Sequence, residues 1–349
     1  MKMTAELSAR IHSGEIIEQK CWQYIKEING EGPEDLGRVS LTDCRRDYTL
    51  GQMYDMWERY ARVFSALGMT GDHHARVGMT GSPCAETTFA FFGLNMTGAS
   101  VSMIQLGDEK RLKRLKEAVE QEYITDLILT DLAIDDRFLR SVLQHKTDMG
   151  IRNVIMIHVP RTGRFALPWE RMKAGDDYRQ IQKVPGAVFM KDLLRKYKGH
   201  EICCAKEPVD EAAVIVHTSG TTKGVPKPVP LSDRAVNESL RRHTANIKAL
   251  SEDQRMTSMM FMDMFAGANF MAMISPLANR GRLIAMSTVG PGLRYFMASE
   301  YYHVTNVVLY AALIDLMIWL PIRYDLSSVK GAMLVGSYSS VGYPLSVIW

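Results

Sequence analysis

The chain has 349 residues, which exceeds the size of one average domain, and its hydrophobic fraction of 46% is enough to fill a sizeable core. With 42 basic and 39 acidic residues the net charge is +3, so the composition indicates neither a nucleic-acid partner nor attraction to a membrane surface. The sequence has no apolar stretch of about eighteen residues, no secretory signal and no Cys-x-x-Cys pair among five cysteines, which predicts a cytoplasmic protein without a transmembrane segment or metal site.

The first predicted elements lie before residue 70. Residues 1–45 mix charges, glycines and isolated large apolar side chains, which predicts a helical lead-in followed by a loop. Thr49 and Gln52 have the spacing of a capping box, in which the two side chains bond each other's backbone amides. Apolar residues then recur on one helical face until Gly68, so the pattern predicts an amphipathic helix that begins after Thr49.

Strands and helices alternate over the rest of the first half of the chain. The predicted strands are 76–80, 99–104, 126–130 and 153–159, and the predicted helices are 85–96, 109–122 and 135–148. This alternation predicts a parallel, doubly wound sheet. Residues 160–186 contain three prolines and no clear period, which predicts a surface excursion without regular structure.

The same alternation resumes in the second half. The predicted helices are 232–250, 266–277, 293–302 and 311–320, and the predicted strands are 257–262, 282–286, 306–309 and 331–335. We therefore expect an α/β protein with two stacked doubly wound subdomains in succession. The expected bounds are 1–45 for the lead-in, 46–205 for the first subdomain and 206–349 for the second.

Residues 214–229 join these halves and read Val-Ile-Val-His-Thr-Ser-Gly-Thr-Thr-Lys-Gly-Val-Pro-Lys-Pro-Val. The β-branched start predicts a buried strand, and the remainder predicts a loop. Glycines let backbone amides approach a ligand closely, hydroxyls donate hydrogen bonds and lysines add positive charge. The loop supplies these groups from Ser219, Gly220, Thr221, Thr222, Lys223, Gly224 and Lys227. The stretch therefore predicts a polyphosphate-binding loop, with a plain surface turn as the less favoured alternative.

The loop does not have the spacing of a Walker motif. That motif places four residues between its glycines and then continues Lys-Ser/Thr into a helix. Here three residues separate Gly220 from Gly224, and Val225 and Pro226 follow. The spacing therefore argues against an unrelated nucleotide phosphotransferase of that type.

The loop instead resembles the signature of adenylate-forming enzymes, which include acyl-CoA synthetases, luciferases and adenylation domains of peptide synthetases. Their signature runs Thr-Ser-Gly-Thr-Thr-Gly-x-Pro-Lys, and residues 218–222 match it. Residues 226–229, Pro-Lys-Pro-Val, resemble the ending common in fungal adenylating carboxylic acid reductases. Lys223 looks like a one-residue insertion before Gly224.

The resemblance implies roles for the loop residues. Backbone and hydroxyl groups would bind ATP, and Lys227, with Lys223 as an alternative, would stabilise the departing pyrophosphate. The residues that inherit nucleotide binding are Thr218, Ser219, Gly220, Thr221, Thr222, Lys223 and Gly224. Mg²⁺ is the implied metal cofactor, and no residue of this chain is assigned to it.

Two further segments resemble family motifs. Residues 259–267 resemble Pro-x-Phe-His-x-x-Gly, which lines the acyl pocket. Gly267 matches, Met264 stands at the usual His, and Asp263 replaces the Phe. Asp263 is either a pocket carboxylate or the N-cap of the following helix, and the cap is favoured. His217 either joins this pocket or is an ordinary buried histidine.

The segment that would receive the adenine ends the recognisable part of the chain. Gly336, Ser337 and Tyr338 inherit that role, and Tyr338 replaces the usual Ala. The later family motifs, including those of the small C-terminal domain with its catalytic lysine, do not follow. We therefore expect the N-terminal portion of a longer enzyme, truncated before that domain and with little adenylation activity alone.

The reaction implied by the resemblance is ATP-dependent activation of a carboxylic acid as an acyl-adenylate. Pyrophosphate is released, and the acyl group passes to CoA or a phosphopantetheine carrier. A non-catalytic nucleotide-binding or scaffolding module that keeps the fold is the alternative. The sequence does not specify the acid.

Overall fold

The structure is a computed structural model that describes residues 17–43, 46–106, 110–159, 165–204, 211–218, 226–250, 255–287, 293–309, 313 and 324–334. In chain order its strands are β1 (Val39–Asp43), β2 (Arg46–Thr49), β3 (Arg76–Thr80), β4 (Ser100–Ile104), β5 (Asp126–Thr130), β6 (Asn153–Ile157), β7 (Val188–Phe189), β8 (Ala212–His217), β9 (Pro228–Ser232), β10 (Thr257–Met260), β11 (Arg282–Ala285), β12 (Asn306–Leu309) and β13 (Gly331–Leu334). Its α-helices are α1 (Cys21–Asn29), α2 (Pro33–Leu36), α3 (Leu50–Ala66), α4 (Ala85–Thr97), α5 (Arg111–Glu122), α6 (Asp136–Gln144), α7 (Pro168–Gln182), α8 (Met190–Lys196), α9 (Asp233–Leu250), α10 (Gly267–Ala278) and α11 (Leu293–Tyr301).

The strands form two sheets. One has seven strands in the order β7-β6-β5-β3-β4-β8-β9, and the other has six in the order β13-β12-β10-β11-β1-β2. The pairs β1–β2 and β8–β9 are antiparallel, and the remaining pairs are parallel. The predicted α/β class with two parallel, helix-connected sheets is therefore confirmed.

Each sheet combines strands from the first and the second half of the chain. Leu41 of β1 pairs with Leu283 of β11, so the six-stranded sheet contains both early and late segments. Val214 of β8 pairs with Val101 of β4, which places β8 and β9 in the seven-stranded sheet. A division into successive layers near residue 205 therefore does not describe the sheets. The domain bounds themselves stay a prediction.

Helix α3 shows why the predicted early elements form. Thr49 Oγ1 accepts a hydrogen bond from the Gln52 amide at 3.2 Å, and Gln52 Oε1 accepts one from the Thr49 amide at 3.0 Å, which confirms the capping box. The apolar face packs on α4, where Trp57 stacks on Phe92 with ring centroids 4.0 Å apart. These aromatic residues belong to a core that extends to both sheets.

Several elements differ from the predictions. Residues 160–186 are not wholly irregular, because α7 begins at Pro168, and proline suits the first turn of a helix. Of α7 only Ala174 and Ile181 are buried, so the sequence carries little apolar periodicity there. Strands β1, β2, β7 and β9 and helix α8 were not predicted. Most of the predicted helix at 311–320 lies outside the described residues.

None of the helices in the described ranges is both long and apolar enough to cross a bilayer.

Candidate functional site

The site begins where β8 ends and the predicted phosphate loop starts. His217 pairs with Pro228 across the antiparallel β8–β9 ladder. The Thr218 amide then donates to the Lys227 carbonyl at 3.0 Å, and the Lys227 amide donates to Thr218 Oγ1 at 3.0 Å. These bonds close the base of the loop, and they hold Thr218 and Lys227 side by side. The Lys227 side chain is exposed.

Residues 219–225 lie outside the described part of the chain. The roles of Ser219, Gly220, Thr221, Thr222, Lys223 and Gly224 therefore stay predictions, as do those of Thr218 and Lys227. The predicted adenine-contacting residues Gly336, Ser337 and Tyr338 also fall outside that part. Strand β13, which precedes them, runs parallel to β12 in the six-stranded sheet.

A second segment, residues 263–267, passes the same end of the seven-stranded sheet, where β3 and β8 finish. The His217 amide donates to the Phe265 carbonyl at 2.9 Å, and Ala266 forms a bridge with His217. The Met264 amide donates to the Gly81 carbonyl at 2.8 Å, just after β3. Since this segment follows β10, it links the six-stranded sheet to the carboxyl ends of β3 and β8. Ligands of open α/β sheets bind at such carboxyl ends.

The approach of this segment depends on Gly81, and Gly267 lies close to β8. A Cβ atom on Gly81 would lie 2.9 Å from the Met264 amide nitrogen, closer than side chains tolerate. A Cβ atom on Gly267 would lie 3.3 Å from Val216 Cγ2. The Met264 side chain is fully buried, so it fills the junction between the sheets. The structure thus brings His217, Met264 and Gly267 together, and their contact with substrate stays a prediction.

Asp263 does not cap the following helix. Helix α10 begins at Gly267 with Ala266 as its N-cap, so the N-cap interpretation of Asp263 is wrong. The Asp263 carbonyl accepts a hydrogen bond from Asn269 Nδ2 at 2.9 Å. The Asp263 side chain is exposed to solvent, but the surrounding protein atoms partly desolvate its carboxyl group. This desolvation raises the pKa of the carboxyl to about 6. Its role as a pocket carboxylate stays a prediction.

A buried carboxylate–imidazole pair lies directly behind the start of the loop. His217 Nε2 lies 2.8 Å from Glu122 Oε1, and the Ser102 hydroxyl donates to Glu122 Oε2. The His217 ring stacks on Phe265 with centroids 4.3 Å apart and planes 6° apart. His217 is 7% exposed and Glu122 5% exposed. His217 is therefore a buried histidine whose Nε2 is satisfied, while its Nδ1 has no hydrogen-bond partner among the described residues.

Glu122 was not predicted as a site residue. It ends α5 and lies 95 positions before His217, and no local pattern links the two residues. Phe265 and Gly81 were also missed, because their importance comes from contacts between the two sheets.

The described residues contain no group of three or more His, Cys, Asp or Glu side chains arranged to hold a metal ion. The site geometry therefore assigns no protein ligand to Mg²⁺ within these ranges.

Comparison with known proteins places this architecture in a family. The model of a family described as AMP-binding enzyme matches residues 33–346. The chain belongs to the AMP-binding enzyme family. The predicted resemblance to adenylate-forming enzymes is thereby confirmed, while the closeness to fungal reductases stays a prediction. A search of curated proteins found no match.

Solved structures with the same fold include three that illustrate the likeness. The anthranilate CoA ligase AuaEII in complex with anthranoyl-AMP has a TM-score of 0.71 and 14% identity, over 94% of this chain and 57% of that chain. Apo MbtA from Mycobacterium smegmatis has a TM-score of 0.70 and 16% identity, over 97% and 56%. ATP-bound MatB from Rhodopseudomonas palustris has a TM-score of 0.66 and 12% identity, over 91% and 55%. The chain thus spans little more than half of each of these proteins, and the likeness shows the fold alone.

Proposed function

We propose that this protein activates a carboxylic acid with ATP, releases pyrophosphate and forms an acyl-adenylate for transfer to CoA or a phosphopantetheine carrier. The observation that carries the proposal is the closed base of the loop at the end of β8. There Thr218 and Lys227 are held by two hydrogen bonds of 3.0 Å each, beside the segment that joins the two sheets. Family membership supports the proposal, as do similar folds that were solved with ATP or an acyl-AMP.

The proposed chemistry joins two anions. A carboxylate oxygen bonds to the α-phosphorus of ATP, the bond from that phosphorus to the bridging oxygen breaks, and pyrophosphate leaves with the electron pair. Such a step requires charge neutralisation and alignment more than a strong base. We assign the backbone of residues 218–224 to the phosphates and the Lys227 ammonium to the leaving pyrophosphate. Mg²⁺ would add positive charge at the phosphates, and we assign no residue to it.

The acid would bind beside the 263–267 segment. We propose that His217, Asp263, Met264 and Gly267 line this pocket. Met264 and Gly267 are packed against β3 and β8, so they limit its depth. Asp263 reaches solvent, and its carboxyl group would suit a polar or cationic substituent of the acid.

We also propose a cytoplasmic location. Cys21, Cys84, Cys203 and Cys204 are free thiols in the structure, and free thiols are usual in a reducing compartment.

Exchange of labelled pyrophosphate into ATP, measured with a panel of carboxylic acids on the full-length protein, tests the proposed function. At least one acid is expected to stimulate exchange. Lys227→Ala is expected to lower the exchange rate about 30- to 1,000-fold, since loss of one transition-state charge stabiliser costs on the order of 2 to 4 kcal/mol.

Lys198→Ala is the matched control, because Lys198 is also exposed but follows α8, at the opposite edge of the seven-stranded sheet from β9. This variant is expected to exchange at the wild-type rate. An unchanged rate in Lys227→Ala would transfer the role to Lys223. Binding of ATP without exchange for any acid would refute the ligase and favour the nucleotide-binding module.

A further inference from the structure

Three arginines lie in a row at the amino ends of adjacent strands of the six-stranded sheet. The pairs Thr257–Arg282 and Leu41–Leu283 fix the register of β10, β11 and β1, which are neighbours in that order. Counted back from these pairs, the residues at one common level are Arg255, Arg280 and Arg38. Neighbouring strands lie about 4.8 Å apart, so the three side chains start from adjacent positions.

Two members of this arginine row contact each other and the elements beside them. Arg38 Nη1 donates to the Arg280 carbonyl, and Arg38 Nη2 donates to Asn29 Oδ1 at 2.6 Å. Arg280 Nη2 donates to a carboxylate oxygen of Asp35 on α2. Within the described ranges, Asp35 is the one carboxylate at ion-pair distance from the row. Three positive charges therefore share one negative charge.

The environment of Arg38 shows the surplus of positive charge. Desolvation, followed by the positive charges of Arg255 and Arg280, lowers the pKa of Arg38 to about 10. Each of these two charges acts on Arg38 more strongly than the opposing Asp35 carboxylate does. Arg38 still carries its proton at neutral pH, so a bound anion would relieve the repulsion among the three guanidinium groups.

Unpaired donors beside Arg38 indicate the same deficit of negative groups. Arg38 Nε and the Tyr54 hydroxyl are buried and have no hydrogen-bond partner among the described residues. Burial raises the pKa of Tyr54, and Arg38 is the charge that most opposes this rise, so the two groups are neighbours. The Glu31 carboxylate is engaged by Lys26 Nζ at 3.2 Å. Donors therefore outnumber acceptors around the row.

The arginine row is open to solvent. Arg255 is exposed and forms no ion pair with a described residue, while Arg38 and Arg280 are partly exposed. Guanidinium groups bind phosphate oxygens through paired N–H donors. Because one carboxylate offsets only one of the three charges, a dianion matches the remaining charge better than a single carboxylate ligand.

We propose that Arg38, Arg255 and Arg280 form a binding site for a phosphate dianion, which is either inorganic phosphate or the phosphate group of a phosphomonoester. Strand β10 runs from this row toward the 263–267 segment, so the site lies at the opposite end of β10 from the proposed acyl pocket. The inference therefore does not depend on the proposed function.

Calorimetric titration of the complete chain with inorganic phosphate at pH 8, where phosphate groups are mainly dianions, measures the binding. Sodium chloride keeps the ionic strength constant, because salt screens exposed charges. The wild type is expected to bind phosphate with a Kd of about 1 mM or lower. Arg255→Gln changes an exposed side chain and is expected to weaken binding about tenfold, since charge-assisted hydrogen bonds are lost. Arg255→Lys keeps the charge and is expected to recover part of the affinity.

Arg137→Gln is the matched control, because Arg137 is also exposed but lies on α6, which packs against β5 and β6 of the other sheet. It is expected to bind phosphate as the wild type does. Lys227→Ala is the second control, since the proposed phosphate loop would also attract the ion. Binding that survives Lys227→Ala and falls in Arg255→Gln belongs to the arginine row. Thermal unfolding without phosphate verifies that each variant is folded.

Phenyl phosphate distinguishes the two sources of the ligand. Similar affinities for phenyl phosphate and inorganic phosphate assign a site for phosphomonoesters, and binding of inorganic phosphate alone assigns a site for the free ion.

The inference is wrong if the wild type binds no phosphate. That result is expected if Glu252 and Asp253, which precede Arg255 outside the described residues, neutralise the row. It is also wrong if Arg255→Gln retains the wild-type affinity, or if Lys227→Ala abolishes all phosphate binding. None of these results changes pyrophosphate exchange, which tests the proposed function separately.

Discussion

Asp263 illustrates how one side chain can couple the site to pH. Its pKa in the folded protein is about 6, raised by desolvation from an ordinary value of 3.8. The folded state therefore binds the proton more tightly than the unfolded chain does. The stabilising contribution of the protonated carboxyl is fully present below about pH 4 and is lost as the pH rises through about 6.

Asp263→Asn is expected to stabilise the protein at pH 8, because the amide removes an ionised group from a partly desolvated position. The gain should stay below about 1 kcal/mol, since the side chain reaches solvent and its charge is screened. At pH 5 the gain should be smaller. Urea unfolding at both pH values measures it, with Asp148→Asn, at an exposed position in the turn after α6, as control. An equal gain at pH 5 and pH 8 would contradict the assigned pKa.

At this scale the sequence predicted local partners better than distant ones. Thr218 and Lys227 are joined because a hairpin-like loop brings its own ends together, and the glycine-rich signature indicates such a loop. Glu122 meets His217 only because β4 and β8 are neighbours and α5 ends above them. Asp263 was misassigned because a short polar residue before an apolar run has the pattern of an N-cap, but α10 begins four residues later, at Gly267.

The 263–267 segment is the element that positions the pocket. It is fixed to β3 through the Met264 amide and to β8 through the Phe265 carbonyl. Its closeness to β3 requires that residue 81 have no side chain, since a Cβ atom there would lie 2.9 Å from backbone nitrogen. Backbone cannot yield as a flexible side chain can, so the whole segment would have to move.

Gly81→Ala is expected to destabilise the protein by about 1–3 kcal/mol, as overpacking in well-packed regions does. It should also raise the KM for the acid more than the KM for ATP in pyrophosphate exchange, because the displaced segment lines the proposed acyl pocket. Urea unfolding and exchange kinetics measure the two effects.

Gly199→Ala is the control, since a Cβ atom at Gly199 would meet nothing within 4 Å. It should leave both measurements unchanged. Wild-type stability in Gly81→Ala would show that the contact is looser than described.

Helices and strands were predicted correctly where burial of one face gives the sequence a regular apolar period. They were missed at sheet edges and in helices that bury few residues. The capped helix α3 and the central strands have strong apolar patterns, and their positions were predicted closely. Strand β9 contains Pro228 and Pro230, which are tolerated because β9 is an edge strand. Helix α7 buries few residues, so its charged sequence and the three prolines of residues 160–186 suggested an irregular segment instead.

At the scale of the molecule, the two sheets pack around one shared hydrophobic core. Strand β8 pairs with β4, β1 pairs with β11, and one core cluster includes Val101, Val214, Phe270 and Leu283. The strand alternation in the sequence predicts two sheets but not this exchange, because the pairing of distant strands is not encoded in local periodicity. The predicted subdomain bounds follow chain order and therefore separate strands that pair.

Residues 46–205 produced alone are expected not to unfold cooperatively. In that fragment β4 lacks β8, and β2 lacks β1. Urea unfolding followed by fluorescence and circular dichroism, compared with the complete chain, measures the cooperativity. A sharp, coincident transition in the fragment would support the predicted subdomain as an independent folding unit.

The pairing of β1 with β11 also has a consequence during biosynthesis. Leu41 leaves the ribosome about 240 residues before its partner Leu283, so at about 5–20 residues per second β1 waits roughly 10–50 s for that neighbour. During this interval the nascent β1–β2 hairpin presents an open strand edge, with unpaired backbone groups, to other chains. Slow translation or holding by chaperones should therefore affect the yield of this protein more than that of a protein whose sheets are completed in chain order.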